Sequence, residues 1–203
     1  METGRKISAL LIGLSLLLAM LPLTANRSFT VKPERLLTGV MSEEASFSVD
    51  QVAEFIVKED STFQLIDLRR PEEFRKQMIP GAVNIPYSEM ISKDPDPWLS
   101  NRNMKTIFYS DSDAEPAYAL VYARGLGYNN TYLMDGGVPE WITTIIETKF
   151  TGERITAREN ALFETRRRAG EMFTELNSLP DSLKTAFLES KKFSAKKLDG
   201  GCE

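Results

Sequence analysis

The sequence predicts an α/β fold, a parallel sheet with helices packed on both faces. Three observations carry the prediction. Short apolar runs recur at Phe63-Gln64-Leu65-Ile66-Asp67-Leu68, Thr106-Ile107-Phe108-Tyr109 and Thr131-Tyr132-Leu133-Met134, with a further strand after the turn at Pro80-Gly81. Segments of helical spacing separate them, and Pro or Gly marks most joints. Strands that alternate with helices in this way pair in parallel, because each crossover lays a helix on the sheet.

The first element is apolar. Arg5 and Lys6 precede an uncharged, Leu-rich run from Ile7 to Asn26, interrupted by Gly13 and Pro22. A run of about 20 apolar residues can cross a bilayer as a helix. A basic start, an apolar centre and small residues at Thr24 and Ala25 equally describe a cleavable signal peptide. Residues 1–26 are therefore read as a signal peptide or membrane anchor. The positive charge ahead of the run places the remainder outside. The expected location is exported: periplasmic, or membrane-anchored and facing outward. No Cys follows the run, which excludes a lipoprotein anchor.

Residues 27–44 are polar, carry Pro33 and Gly39, and read as a linker. The domain is expected over 45–148. Ser48 stands ahead of Val49, Val52, Phe55 and Ile56 as an N-cap, with Asp50 and Glu54 in the early turns. Pro71-Glu72-Glu73-Phe74 opens a helix with Pro at its first position and acids at the positive dipole end. A Pro-rich polar loop is expected from Ser92 to Asn103. Ala114 to Leu126 reads as a helix stopped by Gly127. Residues 149–203 read as a helical extension with a flexible tail, helical from about Ala157 to Leu176 and from Asp181 to about Lys191. Its amphipathic stripe includes Ala161, Leu162, Met172, Phe173 and Leu176.

Composition narrows the chemistry. The formal charge is −4 and the pI near 5.2, which excludes nucleic acid as a partner. The basic run Arg166-Arg167-Arg168 reads as a solvated helix face. The chain has no His, so the commonest general base and zinc ligand are missing. Its single Cys, Cys202, permits neither an intramolecular disulfide nor a Cys-cluster metal site.

Three segments together resemble the rhodanese family. Leu65-Ile66-Asp67-Leu68-Arg69 with Glu72-Glu73-Phe74 is similar to its first signature, and Ile79-Pro80-Gly81-Ala82-Val83-Asn84-Ile85-Pro86 to its continuation. Leu133-Met134-Asp135-Gly136-Gly137 through Trp141 resembles the closing signature. The resemblance covers about half the chain. It implies a rhodanese-like fold of about five parallel strands with flanking helices, and an active-site loop after the Thr106–Tyr109 strand. In active members that loop begins with Cys, and its backbone N–H groups cradle a persulfide or an anionic substrate. The physics is that of a nest at a helix N-terminus.

Here the loop reads Ser110-Asp111-Ser112-Asp113-Ala114-Glu115. Ser110 holds the nucleophile position, and Glu115 stands where such loops commonly carry Arg. A hydroxyl cannot hold a transferable sulfur as a thiolate does, and no His is present to activate it. Asp111, Asp113 and Glu115 set up to three negative charges around the nest, each opposing an anion by about 4 kcal/mol at close range and intermediate dielectric. Three uses remain open for these residues: capping the next helix, binding a hard cation, or binding an unidentified ligand.

Cys202 follows Gly200-Gly201 on a Lys-rich tail. It reads either as an incidental thiol or as a sulfur-carrying arm. Asp67 and Arg69 read as a structural ion pair, with a catalytic pair as the alternative. Asn129-Asn130-Thr131 is a formal glycosylation sequon.

The function expected from these residues is that of an exported rhodanese-like pseudoenzyme. It has no sulfurtransferase chemistry at the loop and acts as a binding or scaffolding module. The alternative is a sulfur carrier or sulfurtransferase-associated protein that uses Cys202. No cofactor and no metal are called for. The partner is an unidentified protein or small molecule, joined by the membrane if residues 1–26 are retained.

Overall fold

The computed structural model describes residues 45–149 and 156–187. The expected N-terminal segment, the linker and Cys202 lie outside the described residues. From Ser46 onward the order is β1 (Ser46–Phe47), α1 (Val49–Val57), β2 (Phe63–Asp67), α2 (Pro71–Lys76), β3 (Ala82–Asn84) and α3 (Tyr87–Ser92). It continues with α4 (Asp96–Leu99), β4 (Lys105–Tyr109), α5 (Ala114–Gly125), β5 (Thr131–Met134) and α6 (Gly137–Trp141). A π-helical turn (Ile142–Ile146) extends α6, and α7 spans Ala157–Ser178. Residues 181–187 are again helical and are called α8.

The five strands form one sheet in the order β1-β5-β4-β2-β3, and every pairing is parallel. Side chains alternate across the strands and divide the core in two. Leu65, Ile107 and Tyr109 face α1, α6 and α7, where they pack with Val52, Trp141 and Phe173. Ile66 and Phe108 face the other way, toward Met90, Leu99, Ala119 and Ala123 on α3, α4 and α5. The central strands β2 and β4 have no solvated face, which is why both read as apolar runs.

Ser48 caps α1 as its position predicts. Its hydroxyl accepts from the Gln51 N–H at 3.3 Å, while the Gln51 side chain accepts from the Ser48 N–H at 2.9 Å. Two short elements depart from expectation. Strand β1 pairs at the sheet edge within a stretch assigned no strand, and α4 forms inside the expected loop from Ser92 to Asn103. Both are too short to leave a periodic trace.

The extension packs on the domain. Ala169, Phe173 and Leu176 of α7 are buried with Val49, Val52 and Trp141. Ala161, Leu162 and Met172 are exposed, which corrects the expected stripe. The helix carries two overlapping apolar stripes, and its crossing over α1 selects one. Arg166 helps to set that rotation: its Nε and Nη2 each donate to the Asp50 carboxylate of α1 at 2.7 Å. Arg166 thus leaves the solvated face predicted for it. Arg167 pairs with Glu164 and Glu171 of its own helix.

Candidate functional site

The loop from Ser110 to Asp113 leaves the carboxyl end of β4, the end of a parallel sheet where ligands bind in open α/β folds. Its first residue is fixed from two sides. Ser110 is 2% exposed. Its hydroxyl donates to Glu115 Oε2 at 2.6 Å, and its carbonyl accepts from the Val138 N–H at 3.0 Å. The second contact needs glycine below it. Gly137 has φ +55°, and a Cβ there would stand 2.1 Å from the Ser110 carbonyl oxygen. Gly136, at φ +70°, makes the same left-handed turn.

The remaining acids of the loop turn outward to different elements. Asp111 pairs with Arg69 Nη1 at 3.2 Å, and Asp113 Oδ1 accepts from the Gly136 N–H at 3.2 Å. These contacts correct the hydrogen-bonding part of the helix-capping reading, while Glu115 does stand in the first turn of α5, at the positive end of its dipole. Asp113 occupies the N-cap position of α5 with φ −81° and ψ −13°, and its side chain makes no cap bond. A cap side chain reaches the helix amides from an extended backbone, and Asp113 is helical. Ser112 and Ala114 are exposed. Among the described residues no three His, Cys, Asp or Glu side chains converge on one point, and Asp111, Asp113 and Glu115 face three separate partners.

Beneath the loop lies a buried ionic layer. The Arg69 Nη2 and Nε donate to the Asp67 carboxylate at 2.6 and 3.1 Å, and Nη2 also donates to the Gln77 carbonyl at 2.6 Å. Asn84 Nδ2 ties the carbonyls of Asp67 and Arg69 together at 3.0 and 2.8 Å. Burial acts to lower the Arg69 pKa, and the hydrogen-bonded Asp67 more than reverses it, so the guanidinium stays charged. Tyr109 lies under this pair, its ring centre 5.9 Å from the guanidinium carbon. Burial pushes its phenol well above the ordinary value, with the Asp67 charge acting in the same direction. The Asp67–Arg69 pair is thus structural: Asp67 is held by the Arg69 side chain and N–H, and Arg69 by Asp67, the Gln77 carbonyl and Asp111, which answers the catalytic alternative.

Sequence reasoning located Ser110 to Glu115 and the outline of their loop. It missed the Ser110–Glu115 bond, the pairing of Arg69 with Asp111, and Gly137 as the seat of the Ser110 carbonyl. Only the paired glycines 136 and 137 carried a local signal, since adjacent glycines after a strand mark a close backbone approach. Arg69 also reduces the negative load predicted for the loop. With Asp111 paired, Asp113 and Glu115 carry the remaining acidic charge.

Comparison with known proteins gives consistent findings. The rhodanese-like domain model matches residues 48–144. The thiosulfate:glutathione sulfurtransferase of Saccharomyces cerevisiae is 27% identical over 108 residues, covering 48% of this chain and 78% of that protein. Among solved structures, the human single-domain sulfurtransferase TSTD1 is 24% identical with a TM-score of 0.42, covering 49% of this chain and 96% of that one. An uncharacterized protein from Saccharomyces cerevisiae is 27% identical with a TM-score of 0.45, covering 50% and 93%. Residues 48–144 of this chain are a member of the rhodanese-like domain family, related to sulfurtransferases.

Proposed function

We propose that this chain is an exported rhodanese-like protein that transfers no sulfur at its loop and acts as a binding or scaffolding module. The observation that carries the reading is Ser110, an alcohol at the family's cysteine position, buried and donating to Glu115 at 2.6 Å. Sulfur transfer needs a thiolate that attacks a sulfur donor and holds the sulfane atom as a persulfide. An alcohol does neither, and the chain has no His to activate it. Asp113 and Glu115 beside the loop further oppose an anionic donor such as thiosulfate. The apolar, uncharged run from Ile7 to Asn26 supports export.

The test is sulfur uptake by the full chain in mild detergent, read by intact mass after incubation with thiosulfate or polysulfide. A Cys202→Ser protein is expected to take up no sulfur and to pass none to an acceptor thiol. Turnover by that variant would sink the reading. An adduct on the wild type that vanishes in Cys202→Ser and moves to an acceptor would favour the tail thiol as a sulfur carrier. A Ser110→Cys/Cys202→Ser protein sharpens the result. Its loop thiol would sit against the Glu115 carboxylate, which disfavours thiolate, so replacing Glu115 with Gln as well should increase uptake.

A further inference from the structure

A line of hydrogen bonds connects the C-terminal helices to the loop. Near the end of α7, the Asn177 carboxamide holds both backbone groups of Met78. Its Oδ1 accepts from the Met78 N–H at 2.8 Å, and its Nδ2 donates to the Met78 carbonyl at 2.9 Å. On α8, the ammonium of Lys184, a residue 6% exposed, donates to the Arg75 carbonyl at 3.3 Å. Gln77 lies between these two grips. It leaves α2 in an extended conformation, and its carbonyl accepts from Arg69. Arg69 in turn reaches Asp111 through Nη1.

A guanidinium is a rigid planar fork, so two fixed acceptors determine where its remaining N–H groups point. Asp67 and the Gln77 carbonyl are those acceptors here. Moving Gln77 tilts the fork and takes Nη1 off Asp111.

We propose that the C-terminal helices set the position of the β4–α5 loop, with Asn177 as the positioning residue and Met78, Gln77 and Arg69 as the path to Asp111. A partner that drew α7 away from Met78 would release Asp111 from Arg69 and leave the loop's third carboxylate without a cation as well. That consequence rests on the loop being a binding face. The coupling itself does not.

The experiment is nuclear magnetic resonance on the full chain in detergent with ¹⁵N-labelled arginine, followed by amide labelling of the loop. Arg69 is the one buried arginine among the described residues, so its Nε–H gives a slowly exchanging signal that Arg69→Lys removes. In Asn177→Ala that signal is expected to shift and to exchange with solvent about tenfold faster, the loss that follows weakening of one charge-assisted hydrogen bond. The amides of Asp111 and Ser112 should move with it. Asn177→Ser retains a polar group and repeats the test if the alanine variant does not fold. Arg166→Gln, which cuts the tie between α7 and α1, controls for general loosening of the helix and should leave Arg69 unmoved. Wild-type Arg69 and loop signals in the Asn177 variants would overturn the proposal, as would an equal shift in Arg166→Gln. Sulfur uptake plays no part in the readout, so this result is independent of the functional reading.

Discussion

The loop after β4 and the extension after the domain are both charge-rich, yet they are held in place by different physics. Each loop acid that finds a cation or donor finds it on another element or at the loop's own first residue: Arg69 for Asp111, the Gly136 N–H for Asp113, the Ser110 hydroxyl for Glu115. The extension pairs Arg167 with Glu164 and Glu171 within one helix and is fixed by apolar burial of Ala169, Phe173 and Leu176. Ion pairs inside a helix contribute a few tenths of a kcal/mol, so the extension depends on its apolar face. The loop depends on geometry supplied by β2 and α6.

That contrast can be broken at either end. Gly137→Ala should have the largest effect, about 3 kcal/mol or more in chemical denaturation. It adds a Cβ 2.1 Å from the Ser110 carbonyl at a φ of +55°. A loss below 1 kcal/mol, by the same measurement, would show that the loop is not seated on that turn. Phe173→Ala is expected to cost about 3 kcal/mol, since the ring is 7% exposed against Trp141. If it costs no more than a surface change, the extension is not part of the cooperative fold. Arg166→Gln should cost about 1 kcal/mol or less, because both partners are roughly a quarter exposed, at 26% and 27%. A larger loss would make charge, and not burial, the main tie of α7.

The smallest effect is expected at the start of α7. There the Thr156 N–H and hydroxyl both donate to Glu159 at 2.8 Å. These bonds hold the Glu159 carboxyl below its ordinary 4.5, the backbone bond first. A depressed carboxyl stabilises the fold above its unfolded pKa and stops doing so as pH falls through its folded value. The cap should therefore persist at pH 4.5 and loosen only in stronger acid. A carboxyl-carbon titration of Glu159 with a midpoint at or above 4.5 would contradict it.

How much of this was legible follows the range of each interaction. Ser48 as a cap, Pro71 at the start of α2 and the apolar runs of β2, β4 and β5 are local signals, and the structure realises them. The two-residue β1 carries too little pattern to be recognised. The stripe of α7 was misread because Leu162 and Met172 are as apolar as Phe173. Nothing within the helix says which of them meets α1.

By itself the sequence determined the alternation of strands and helices, the family signatures, and the replacement of the loop cysteine by Ser110. All of these are carried by residues close together along the chain. Only the tertiary structure decided that Ser110 is bound by Glu115, that Arg69 is shared among Asp67, Gln77 and Asp111, and that Asn177 grips Met78. Hydrogen bonds form over about 3 Å, and groups as far apart in sequence as Met78 and Asn177 come that close only when the sheet and its covering helices have packed.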